Sequence, residues 1–187
     1  MKKMIVTLML LLFIPVFYSL CSEPPGVIPG YEGTRLNPDI LADIELARAH
    51  MNACIQGDRE GMERYMHKNY SSTGTAGANT HFTREEIIEG WIDFAKGSDN
   101  IKFSNRIWYS WVVDEMEGNP DLVGKWVVTW CDFSYRTKAD GREVSFPLHL
   151  ALRIREEKVD STIYYYDRLS MLSQLGYQLL PPKPADQ

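Results

Sequence analysis

Apolar residues fall every three or four positions through the first half of this chain and every second position through much of the second half. Ile40, Ile44, Ala47, Met51 and Ile55 lie on one stripe at helical spacing. That stripe predicts an amphipathic helix with a single buried face. Asn37 reads as its N-cap, with Pro38 at the first helical position, and Gly57 as its stop. Asp58 caps a second, shorter helix carrying Met62, Tyr65 and Met66. Ser71 to His81 reads as a loop of small polar residues. Thr83 with Glu86 forms a capping box that opens a third helix, with Ile87, Ile88, Trp91 and Phe94 on or near its apolar face.

From Ile101 the period is two. Ile101 to Val113, Trp126 to Tyr135, Val144 to Ile154 and Val159 to Tyr166 predict successive strands. Asp140-Gly141 is a hairpin turn and Gly118-Asn119-Pro120 a looser one. A short apolar run after Asp167 closes at Gln174-Leu175-Gly176. Helices first and antiparallel strands afterwards predict an α+β domain, with helices covering one face of a curved sheet.

The N-terminus follows a different rule. Lys2 and Lys3 precede an uncharged apolar run, Met4 to Leu20, and polar Ser22-Glu23-Pro24-Pro25-Gly26 follows. This is the layout of a secretory signal. The run falls short of the roughly 20 apolar residues a membrane span needs. Two routes of processing are open. Cys21 occupies the place of a lipid-modified cysteine, just after the apolar core; alternatively, an ordinary peptidase cuts before Ser22. The lipoprotein route accounts for a lone cysteine followed by a polar tether, and stable anchoring then needs several acyl chains. The chain divides into a leader (1–21), a tether (22–36), a domain (37–180) and a tail (181–187). The expected location is outside the cytoplasm, anchored in a bacterial envelope or otherwise periplasmic or secreted.

Charge narrows the partners. Over the whole chain 25 acidic side chains outweigh 20 basic ones, for a net charge of −5. Without Lys2 and Lys3, 18 basic side chains face the same 25 acids, a net charge of −7. A nucleic-acid partner needs a basic footprint that is missing here. An anionic membrane surface is disfavoured for the same reason, so membrane contact is expected only through the lipid anchor. Cys54 and Cys131, in a helix and a strand among apolar neighbours, read as buried free thiols. His50, His67 and His81 share no ligand spacing, so no metal site is expected. Gly74 and Gly77 lack the Gly-Lys-Ser/Thr ending of a phosphate loop, and no serine lies in a nucleophile elbow.

The helix followed by Gly57-Asp58, the antiparallel strands, and the ending Tyr166-Asp167 with Gln174-Leu175-Gly176 together resemble the nuclear transport factor 2-like superfamily, and within it the SnoaL-like polyketide cyclases. The resemblance spans roughly Pro38 to Gly176. It implies a cone-shaped fold of N-terminal helices packed on a strongly curved antiparallel sheet that encloses a pocket. It also implies Asp167 as a general acid/base at the end of the last strand, with His149 on the preceding strand, and no cofactor.

The residues allow a test of that implication. If Glu156-Glu157 is a two-residue loop, Arg155 pairs with Lys158, and an unbroken register sets Phe146 opposite Asp167, Leu148 opposite Tyr165 and Leu150 opposite Ile163. Asp167 then lies on the apolar face, where burial suits an acid or base. The alternative is that Asp167 caps the short helix starting near Leu169. The same register turns His149 outward beside Tyr164, unless a three-residue turn or a bulge near Pro147 changes its facing. The pocket residues expected are Tyr165, Ile163, Trp130, Trp91 and Leu148. Two classes of function follow. One is an exported protein that holds a small hydrophobic molecule without a defined reaction, and that can dimerise through its outer sheet face. The other is a cofactor-independent cyclase, isomerase or dehydratase using Asp167.

Overall fold

A computed structural model describes residues 33–73, 80–178 and 180. The leader with Cys21, most of the tether, Gly74, Gly77 and the tail from 181 lie outside the described residues. In chain order the elements are β1 (Thr34–Leu36), α1 (Ile40–Gln56), α2 (Arg59–Tyr65), β2 (Met66–Thr73), β3 (His81–Thr83), α3 (Arg84–Gly97), β4 (Ser98–Val113), β5 (Gly124–Thr137), β6 (Glu143–Arg155), β7 (Lys158–Tyr166) and α4 (Arg168–Gln174). A 3-10 turn, Pro120–Leu122, sits between β4 and β5. The strands form one sheet in the order β1-β4-β5-β6-β7-β2-β3. All pairs are antiparallel except β2 with β7, which run parallel. This is the expected α+β architecture, with helices against one face of a curved sheet.

Local chemistry explains most boundaries. Gly57 ends α1 in the left-handed conformation, φ 62°. The Asp58 carboxylate accepts the Gly61 N–H at 3.1 Å and starts α2. Thr83 and Glu86 complete a reciprocal capping box at the start of α3. Asn37 differs from its expected role. The first helix begins at Ile40, with Asp39 at the cap position. Asn37 is instead buried, and its side-chain amide donates to Asp43 at 2.7 Å and to Ser110 at 2.7 Å, tying α1 to β4.

Three further differences matter. Thr34–Leu36, expected in the tether, pairs with Trp111–Val113 as an edge strand. Met66, expected on a helix, opens β2 as a core residue 1% exposed. Ser71, Ser72 and Thr73 are paired on both sides, with β3 and with β7, where a loop was expected. Their small hydroxyl side chains carry no apolar alternation, so the strand leaves little trace in the pattern.

The sheet's curvature comes from bulges. Two register shifts in β4, between Asp99 and Lys102 and between Ser104 and Ile107, each contain an asparagine at positive φ, Asn100 (53°) and Asn105 (51°). Asn is among the side chains that tolerate this region, and each extra residue bends the strand. The core lies between the inner sheet face and the helices, with Met51, Met62, Ile88, Val127, Leu150 and Leu152 all at 3% exposure or less. Burial on that scale is worth roughly 1.5–3 kcal/mol for each large aliphatic side chain.

Candidate functional site

The site is set by one residue of β7. Glu156 and Glu157 form the expected two-residue turn, both at positive φ (49° and 56°), and Arg155 pairs with Lys158. Ile154 still pairs with Val159, but Arg153 pairs with Ser161, so Asp160 is an extra residue in the strand. The bulge is fixed electrostatically. Asp160 is buried at 3% exposure, with Arg153 Nε 2.8 Å from one carboxylate oxygen and Arg155 Nε 3.1 Å from the other. A one-residue shift turns every later side chain to the opposite face.

The consequence corrects the expected register. Leu148 pairs with Tyr166, His149 with Tyr165 and Ala151 with Ile163. Tyr164 and Tyr166 therefore share the inner face with Leu148, while Ile163 and Tyr165 turn outward. Tyr165 is 58% exposed. Trp130 pairs with His149 and is half exposed on the same outer face, its ring 4.8 Å from the imidazole. His149 stacks in turn toward Tyr165 at 5.7 Å, and partial burial lowers its pKa. Asp167 is exposed, and its carboxylate accepts the Ser170 N–H at 2.9 Å as the N-cap of α4. Asp167 and His149 are thus not brought together over the pocket. Of the expected pocket residues, Trp91 and Leu148 line the inner cavity, and Tyr165, Ile163 and Trp130 do not.

That cavity holds about 460 Å³ between α3, the start of α4 and the inner faces of β5, β6 and β7. The volume is in the range of small-molecule sites. Eight of its fourteen lining residues are aromatic: Phe82, Trp91, Phe94, Phe133, Tyr135, Phe146, Tyr164 and Tyr166. Ser72, Glu86, Ile87, Gly90, Leu148 and Met171 are the other described residues of the lining, and among these Glu86 is the single charged one. The rings form walls that meet at steep angles. Trp91 is T-shaped against Phe94 (5.7 Å, 86°) and Phe133 (6.2 Å, 85°), while Phe146 stacks on Tyr166 at 4.9 Å. Inward alternation along β5 and β6 marks Phe133, Tyr135 and Phe146 in the sequence; Tyr164 and Tyr166 are marked only once the bulge is known.

Below the cavity, behind Trp91 and Tyr164, lies a buried polar group. His50 is 1% exposed, its Nε2 3.8 Å from Cys54 Sγ, and burial pulls its pKa down to about 4. Burial pushes the Tyr70 and Tyr164 phenols and the Cys54 thiol upward. All four are therefore neutral near pH 7. Tyr70 and Thr162 are neighbours, yet neither hydroxyl makes a hydrogen bond of full geometry, nor does His50 Nδ1. This buried layer beneath the cavity is polar but uncharged. Cys54 and Cys131 are both free and buried. Among the described residues no group of three His, Cys, Asp or Glu side chains is placed to hold a metal ion.

No protein-family model and no curated protein sequence matches the chain. Solved structures do resemble it in fold. A protein of ketosteroid isomerase-like fold from Catenulispora acidiphila, in complex with trimethylamine, is 18% identical, with a TM-score of 0.55 over 73% of this chain and 98% of that one. A proposed polyketide cyclase from Xanthomonas campestris is 10% identical, with a TM-score of 0.58 over 73% of this chain and 98% of that one. A proposed isomerase from Bacillus subtilis is 13% identical, with a TM-score of 0.57 over 78% of this chain and all (100%) of that one. At these identities the likeness concerns the fold alone, one shared with solved proteins described as ketosteroid isomerase-like and NTF2-like.

Proposed function

We propose that this NTF2-like domain is an exported binding protein that holds a small, largely apolar molecule in the cavity under α3. The aromatic lining carries the reading: a 460 Å³ cavity walled by eight rings removes apolar surface from water while making few polar demands. The complex of the Catenulispora protein with trimethylamine is in keeping with a small-molecule role for the fold. The competing reading, proton transfer by Asp167 in a cyclase- or isomerase-like reaction, draws no support from a carboxylate that is exposed and engaged in capping α4. Proton transfer also needs a base and an electrophilic stabiliser at one reacting centre.

Export and anchoring rest on the leader. Lys2, Lys3, the apolar run Met4 to Leu20 and Cys21 support delivery to the bacterial envelope with an acylated cysteine as membrane tether. Mass spectrometry of the native N-terminus tests this. Acylated Cys21 is expected, and an unmodified chain starting at Ser22 would remove the anchor and keep export. The binding claim is tested on protein purified from its own host and extracted with organic solvent. One small apolar compound in near-stoichiometric amount is expected. Extracts indistinguishable from those of a variant with a filled cavity would count against it.

A further inference from the structure

We infer that the ligand class favoured by this cavity is a small alkylated ammonium ion, held among the rings of Trp91, Phe94, Tyr164 and Tyr166 with Glu86 as its counter-charge. The inference rests on the pocket reading above and adds the sign and shape of the ligand. Ring faces carry negative quadrupole charge and attract cations, most strongly in desolvated sites. Among the described residues Glu86, itself exposed, is the single charged one in the lining, so fixed charge and ring faces favour the same sign of ligand.

Glu86 is suited to the role. Its Oε2 accepts both the Thr83 N–H and the Thr83 hydroxyl at 2.8 Å, which leaves Oε1 for a ligand. Those bonds hold its pKa below the usual carboxylate range, so it is ionised at neutral pH.

The lining also argues for alkyl groups on nitrogen. A primary ammonium brings three N–H donors that must be satisfied once water is removed. Apart from Glu86, the described lining residues offer only Ser72 and phenolic oxygens as side-chain acceptors. A quaternary ammonium has no N–H donors, and its methyl surface packs against rings. Trp91, Phe94, Tyr164 and Tyr166 all line the cavity, so such a group meets aromatic surface there.

The test uses the full chain and an environment-sensitive neutral dye, Nile red, bound in the cavity. Benzyltrimethylammonium is compared with neopentylbenzene, its uncharged carbon isostere. The ammonium compound is expected to displace the dye at about tenfold lower concentration, although the hydrocarbon gains more from leaving water. In Glu86→Gln, which keeps a side chain able to serve in the capping box, that advantage should shrink several-fold with the isostere unchanged. Equal or better displacement by neopentylbenzene would overturn the inference while leaving an apolar pocket in place. An unchanged ratio in Glu86→Gln would also overturn it. Failure of the dye to bind at all would overturn the pocket reading, and this one with it.

Discussion

Arg153 and Asp160 meet in a two-point ion pair, Nε to Oδ1 at 2.8 Å and Nη2 to Oδ2 at 3.2 Å, across a break in the β6–β7 register. The pair holds an extra residue in β7 and thereby decides which tyrosines face the cavity. Asp160→Ala removes the buried partner and leaves Arg153, 15% exposed, without it. Urea unfolding should show a loss of about 3 kcal/mol, as for other broken buried pairs. Arg155 is half exposed and contributes little to that figure. A loss below about 0.5 kcal/mol, the scale of an ordinary surface substitution, would mean that the bulge does not depend on the charge.

Acid should destabilise the fold through His50. Its pKa is about 4 in the folded chain against an ordinary 6.5, so between those values the unfolded chain binds a proton that the folded chain does not. The stabilising difference is complete above pH 6.5 and is lost as pH falls toward 4, where it amounts to roughly 3 kcal/mol. Carboxylates titrate over the same range, so the comparison is with His50→Leu. The stability gap between wild type and variant should change by about that amount between pH 7 and pH 4. Parallel curves would contradict it.

Asp167 is expected to behave as a cap. Asn at this position can still accept the Ser170 N–H and should melt like wild type, whereas Ala should cost about 1 kcal/mol. Ligand affinity should be the same in both variants. A loss of more than about tenfold in affinity for Asp167→Asn, with an unchanged melt, would return the carboxylate to the site.

These outcomes turn on features of differing visibility in the sequence. Gly57, Asp58 and the Thr83–Glu86 box are local devices acting within three residues, and each does in the structure what its type implies. The four long strands announce themselves by alternation. β2 does not, because Ser71, Ser72 and Thr73 pair on both sides yet offer no apolar face to count. The bulge is harder still. Asp160 occupies an unremarkable place in the alternation, and only its tertiary contacts with Arg153 and Arg155 reveal it as the extra residue. Everything downstream inherits that one step. Tyr165 and Ile163 were expected inside and lie outside, Tyr164 and Tyr166 line the cavity, and Asp167 is exposed.

Gly90 gives direct access to the cavity under α3. Gly90 lines the cavity, and a Cβ built there meets nothing within 4 Å, so a side chain can be started there without a clash at its first carbon. Replacing a helical glycine should itself stabilise α3 slightly. Titration of wild type and Gly90→Trp with Nile red, alongside thermal melts of both, is the measurement that decides. One saturable site in wild type, weakened by roughly tenfold or more in a variant that melts no lower, is the result expected. Equal dye binding by the two proteins would contradict the claim that this cavity is where the molecule binds.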